Sequence, residues 1–199
     1  MARTVGSSGI ETAARMRQAA LRLFARSGYA AVSMREIAAE VGLQAGALYN
    51  HFPTKQELLA ALMREHLEGL IAEWESGREG ADSPGDALKR FVRFHIRYHL
   101  QRPDAVFISY MELRSLEPDN FGDVERLRRR YEAFLRDILE DGRRTGIFGI
   151  ADAPIATMAI IAMLNGLTTW YRSDGRLALE EIEDIYIDMV ARSVGLKES

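Results

Sequence analysis

Apolar residues recur every three or four positions along almost the whole chain, and no two-residue alternation competes with them. That periodicity confines the chain to helices packed on helices. Met16, Ala19, Ala20, Leu23 and Phe24 draw the first stripe, which stops at Gly28. Ser33 and Glu36 then spell a capping box for a helix through Ile37, Ala38 and Val41 that Gly42 ends after barely two turns. A third short helix is predicted from Ala45 to His51, with Leu48 and Phe52 pointing inward and Pro53 closing it. Thr54 and Glu57 open a long fourth helix whose stripe runs from Leu58 through Leu62, Met63, Leu67 and Leu70 to Trp74.

Gly77 to Pro84 reads as a loop, after which Pro84 and Pro103 each start a helix. A break is expected at Ser115 to Pro118, followed by a long helix over 120–145. Two more helices are expected over 154–171 and 179–194. The first of these is apolar on nearly all sides, yet its longest apolar stretch, Ile155 to Leu167, is shorter than the roughly 20 residues of a bilayer-spanning helix. No membrane partner is therefore expected. Residues Met1 to Gly9 lack the apolar segment of an export signal, and Gly6-Ser7-Ser8-Gly9 reads as a flexible arm, taken to extend over 1–11.

Charge divides the chain in two. Residues 1–55 hold seven cations against three anions, a net of +4, on a chain whose total is −3. A basic head on an acidic body points to a polyanion partner for the head alone. Cysteine is absent, which removes disulfides, thiol catalysis and zinc–thiolate sites and fits a reducing cytoplasm. No nucleophile elbow, phosphate-binding glycine loop or His-Glu metalloprotease motif is present, so an enzyme is not expected and no cofactor is implied.

Two short helices joined by a glycine corner, behind one supporting helix, are what a helix-turn-helix requires. Leu43 is expected to anchor the turn, and the third helix to present its first turn to the major groove of double-stranded DNA. The segment Ser33-Met34-Arg35-Glu36-Ile37-Ala38, then Val41-Gly42-Leu43, then Leu48-Tyr49-Asn50-His51-Phe52-Pro53-Thr54-Lys55-Gln56-Glu57-Leu58-Leu59, resembles the tetracycline-repressor family. The resemblance implies that Ser33 and Tyr49 bind phosphate, that Gln44, Ala45 and Gly46 face the bases, and that His51 and Lys55 grip the backbone, with Arg35 and Asn50 beside them. Many family members carry a hydroxyl residue at the position of Gln44, a lysine at Ala45 and a threonine at Ala47, so base readout here is lean. The fold expected is all-α with about nine helices. A three-helix DNA-binding domain over 1–55 precedes a helical ligand-binding and dimerisation domain over 56–199.

Past residue 60 the likeness thins. Met111-Glu112-Leu113-Arg114-Ser115-Leu116, Gly146-Ile147-Phe148 and Trp170-Tyr171-Arg172-Ser173-Asp174-Gly175-Arg176-Leu177 are similar to the branch that represses fatty-acid, branched-acid and steroid breakdown and releases DNA on binding acyl coenzyme A thioesters. Ser173 and Ala178 depart from the proline and serine expected there. Independently of that branch, Phe91, Phe94, His95, Phe107, Tyr110, Met111, Tyr131, Phe134, Met158 and Trp170 are large, soft side chains that either line an effector cavity or pack each other. Arg114, with Arg128, Arg129 and Arg130, offers cations for coenzyme A phosphates, although a charge run on a long helix is commonly a solvated face. His95 and His99 sit one turn apart but lack a third ligand, so no metal is expected. Small residues Ala156, Ala159, Ala162 and Gly166 predict close packing of the 154–171 helix against a twin, with 179–194 beside it, as the homodimer surface.

Overall fold

The computed structural model describes residues 5–77 and 83–196, and every regular element among them is helical. Two compact units emerge. The first holds residues up to 68 together with 104–127, and the second holds 69–103 with 128 onward.

In the first unit, helix α1 (Val5–Ser27) buries Met16, Ala19, Ala20 and Phe24. It starts at Val5, so residues 5–11 of the expected flexible arm are helical, while residues 1–4 lie outside the described residues. Helix α2 (Met34–Glu40) begins on the Ser33–Glu36 capping box and buries Met34, Ile37 and Ala38. The chain then turns at Gly42, whose φ of +72° is a left-handed value that glycine takes without strain. The Gly42 and Leu43 amides return to the Ala39 and Ala38 carbonyls at 3.0 and 2.9 Å, closing the last turn of α2. Helix α3 covers Ala45–Tyr49, two residues less than expected. Its end tightens because the His51 amide donates to Leu48 O at 3.0 Å, just ahead of Pro53. Leu48 is fully buried, whereas Leu43, expected to anchor the turn, is only half-buried.

Helix α4 (Lys55–Ser76) starts where Thr54 Oγ1 accepts the Glu57 amide at 3.0 Å, and it contributes residues to both units. Helix α6 (Pro103–Met111) leads through a single 3₁₀ turn, Leu113–Ser115, into α7 (Pro118–Arg144). The break expected at Ser115 to Pro118 thus falls earlier, over 112–117, and holds a short ordered corner, with Pro118 already in α7.

The second unit is built on α5 (Pro84–Leu100), capped by Ser83, which packs against both α8 (Ala153–Trp170) and α9 (Leu179–Ser193). Asp152 caps α8 by accepting the Ile155 amide at 2.8 Å. Ala178 has no side-chain acceptor, and the cap of α9 is carried instead by Glu181 Oε2, which accepts the Ala178 amide at 2.8 Å. Helix α8 is long and apolar enough to cross a membrane by length and composition, a property that core helices share. It buries Thr157, Ile160, Ile161, Leu164 and Leu167, yet leaves Ile155 71% and Met158 54% exposed.

Near the end of α7, Gly142 meets the ring of Phe148, and the Phe148 amide donates to Gly142 O at 3.0 Å. A methyl group there would overlap that ring, which is itself buried. Gly142→Ala is therefore expected to cost about 2 kcal/mol or more through overpacking, despite alanine's better helix propensity. A thermal melt unchanged from the wild type would contradict this.

Candidate nucleic-acid interface

Packing fixes which side of the short helices is left to solvent. Ile37, Ala38, Leu48 and Phe52 face the core, which leaves Ser33, Arg35, Gln44, Gly46, Tyr49, Asn50 and His51 exposed, with Ala45 half-buried. Tyr49 is 49% exposed at the end of α3. Gln44 sits at the N-cap of α3 without a side-chain cap bond, so its amide is not consumed by its own helix.

Ser33 works inside the fold as well as at its surface. Its Oγ accepts the Glu36 amide at 3.2 Å, and its own amide donates to Glu36 Oε2 at 2.6 Å. The Ser33 amide, and after it the Ser33 hydroxyl, holds the Glu36 carboxyl below its ordinary range. Ser33→Ala is expected to lower stability by about 1 kcal/mol, which a denaturant titration measures directly.

Lys55, in the first turn of α4, is half-buried. Its Nζ donates to Tyr29 O and Val32 O, each at 2.8 Å, and lies 4.2 Å from the centre of the Tyr29 ring. An ammonium has three donors, and two are used here. Burial pushes its pKa down from the usual lysine value, opposed by the nearby Glu112 and Glu36 carboxylates.

Around Lys55 is a polar network that sequence reading missed. Glu112 Oε1 accepts the Tyr29 amide at 3.0 Å while Glu112 Oε2 accepts from Ser115 Oγ at 2.8 Å. Gln56 Nε2 donates to Ser115 O at 2.7 Å and to Tyr29 Oη at 3.0 Å, and Gln56 Oε1 accepts the Glu117 amide at 3.0 Å. From α1, Arg15 Nη2 donates to Val41 O at 2.9 Å and so braces the helix-turn-helix corner. Apart from Glu112 and Ser115, which are three residues apart, these partners lie 26 to 83 residues apart, and no local spacing signals them.

The residues expected to meet an effector fall into three sets. Phe91, Phe94, Tyr131 and Phe134 gather in the second unit around Trp74, which the sequence placed only on the stripe of α4. The Trp74 ring stands 5.2 Å from Phe91, 5.3 Å from Phe94 and 6.3 Å from Phe134, and Phe91 stacks on Tyr131 at 5.4 Å. His95, fully buried, joins them: Nδ1 lies 3.0 Å from Tyr131 Oη and Nε2 lies 3.0 Å from Asn165 Oδ1. Because the Asn165 oxygen accepts, Nε2 carries the proton and Nδ1 accepts from the tyrosine hydroxyl. The ring stacks at 3.8 Å on His99, whose Nδ1 donates to His95 O at 2.8 Å.

Met158 and Trp170 form a second set, exposed on α8, with Trp170 stacked on Tyr186 at 6.5 Å. Phe107, Tyr110, Met111 and Arg114 form the third, in the first unit, with Phe107 and Met111 exposed on α6. Of the nearby cations, Arg130 pairs with Glu75 at 2.7 Å. Among the described residues no group of three or more His, Asp or Glu side chains stands close enough to hold a metal.

Comparison with known proteins agrees with this architecture. Residues 17–62 match the model for bacterial regulatory proteins of the tetR family, and residues 81–194 match the tetracyclin repressor-like C-terminal domain. The HTH-type transcriptional repressor KstR2 of Mycolicibacterium smegmatis is 26% identical over 179 residues, covering 87% of this chain and 85% of that protein. A bacterial regulatory protein in the tetR family from Rhodococcus RHA1 superposes with a TM-score of 0.87 at 30% identity, over 94% of this chain and 98% of that one. AibR, solved in complex with isovaleryl coenzyme A and operator DNA, shares the fold with a TM-score of 0.83 at 24% identity, over 93% of this chain and 99% of that one.

Proposed function

The chain belongs to the tetR family of bacterial regulatory proteins, and on that premise we propose that it is a dimeric, cytoplasmic repressor that a hydrophobic effector, an acyl coenzyme A thioester, releases from an inverted-repeat operator. The observation that carries the DNA reading is the solvent-facing side of α3, rooted by buried Leu48, with polar Gln44, Tyr49, Asn50 and His51 exposed at its two ends. In this reading Gln44, Ala45 and Gly46 face base edges in the major groove, with Gln44 suited to adenine. Ser33, Tyr49, His51 and the third donor of Lys55 hold phosphates, with Arg35 and Asn50 at the margin. Lys55 sits at the amino end of a 22-residue helix, where a phosphate also meets the dipole. The functional division we assign is a DNA-reading part over 1–55 and a sensing and pairing part over 56–199.

For pairing, the exposed Ile155 and Met158 of α8 and Ile185 and Met189 of α9 supply an apolar face, and burial against a second copy satisfies it. Met158 and Trp170 fit this face better than the effector site, since both lie outside the aromatic cluster around Trp74. For the effector, Phe91, Phe94, His95, Tyr131 and Phe134, with Phe107, Tyr110, Met111 and Arg114, remain the proposed contacts. Support for the thioester class comes from the resemblance of residues 111–116, 146–148 and 170–177 to the acyl coenzyme A-responsive branch, beside AibR, which shares the fold and is solved in complex with isovaleryl coenzyme A and operator DNA. Effector entry tilts α4 and alters the spacing of the paired recognition helices, weakening operator affinity.

Selection from random-sequence DNA followed by titration of the retained duplex tests the assignment. A palindromic site is expected, with log affinity falling against log salt at a slope of about −4 if four phosphates are neutralised per dimer. Short, branched and long-chain acyl coenzyme A thioesters are then added. Release by an aromatic drug-like compound but by no thioester would replace the effector class, and the absence of any salt-sensitive duplex binding would end the DNA reading.

A further inference from the structure

The polar network between the recognition head and the start of α7 does more than hold the head together. Two helices, α4 and α7, each contribute several residues to both units. The α6–α7 corner, residues 112–117, belongs to the first unit along with the helix-turn-helix. Helix α7 runs unbroken from residues 128–144, which belong to the second unit, to this corner.

Two side chains meet it there. Gln56 is bound on both sides of its amide, donating to Ser115 O and Tyr29 Oη while accepting the Glu117 amide, so that a displacement of the corner by an ångström breaks or reorients the two bonds that reach it. Glu112 accepts the backbone amide of Tyr29, the residue whose carbonyl and ring also fix the Lys55 ammonium. We infer that Gln56 and Glu112 couple the α6–α7 corner to the DNA-reading surface: they latch the α1–α2 loop and the first turn of α4 to that corner and pass movements between the two. The latch presupposes the DNA reading but not the identity of the effector.

Because coupling is reciprocal, DNA must be felt at the corner as surely as the corner is felt at the DNA. Amide hydrogen exchange on the full chain, with and without the duplex obtained by selection, measures this without any effector. In the wild type, duplex binding is expected to change protection across 112–121 by about tenfold. Gln56→Met keeps the length and helix propensity of the side chain but none of its three bonds. It is expected to bind the duplex within about threefold of wild type while the response at 112–121 disappears. Glu112→Ala must reproduce that loss of response.

A merely structural role would change overall stability and leave the DNA-induced response in place. The latch is overturned if the wild-type corner does not respond, if either variant responds as fully as wild type, or if Gln56→Met abolishes duplex binding outright. If no acyl coenzyme A thioester releases the wild type from DNA, the effector assignment falls while the exchange result still decides the latch. Failure to retain any duplex removes both.

Discussion

Arg97→Met is expected to lower the melting temperature by about 5–10 °C, corresponding to about 2–3 kcal/mol, and to weaken self-association with it. The cause is a carboxylate in the wrong solvent. Glu183 on α9 is only 1% exposed, and its charge is met by Arg97 of α5 through two bonds, Nε to Oε1 at 2.5 Å and Nη2 to Oε2 at 2.8 Å. Arg93 adds a contact at 3.3 Å. Taking away one partner of a buried pair costs about 3–5 kcal/mol, and the figure is reduced here because the Arg97 side chain is itself 47% exposed and Arg93 stays. The double change Arg97→Met with Glu183→Gln should recover much of the loss, since the uncompensated charge is then gone. If the single variant melts like wild type, the clamp is dispensable. A clamp between α5 and α9 also sets how α9 presents Ile185 and Met189, so sedimentation should show more monomer in the single variant than in the double.

Gly46→Asp is expected to do the opposite: leave the melt unchanged or slightly raised and reduce operator affinity by about a hundredfold or more. A Cβ at this position meets nothing within 4 Å, so the free protein has room for the new side chain. Aspartate is no worse than glycine in a helix, and near the start of α3 its charge agrees with the dipole. On DNA, in the proposed reading, the same carboxylate enters the major groove, where the potential of the flanking phosphates repels it, once in each copy of the pair. Wild-type affinity in this variant would mean that α3 does not approach DNA by its exposed side.

Local chemistry was well written in the sequence. The Ser33–Glu36 box, the Thr54 cap and the prolines at positions 84 and 103 place helix starts where the structure has them, because each acts on backbone groups only three or four residues away. Asp152 was not singled out, although it caps α8 by the same rule. Long-range polar pairing was not legible. Gln56 and Glu112 entered only as letters within segments that carry the family resemblance, and Glu183 was not singled out, since nothing in the local pattern distinguishes a solvated carboxylate from a buried one. His95 stood out as a soft residue for an effector, but both ring nitrogens are engaged by Tyr131 and Asn165, 36 and 70 residues away. Aromatic spacing found the members of the Trp74 cluster without revealing that Met158 and Trp170 point elsewhere.

Helix α3 has five residues, too few to persist alone in water, and its shape is imposed by the anchors Leu48 and Phe52 beneath it. Its outer residues therefore contribute almost nothing to keeping the chain folded. Mutation can sample new side chains at positions 44 and 46 without endangering the scaffold, and on the proposed reading these are positions that face the bases, so a change of DNA target need not cost the fold.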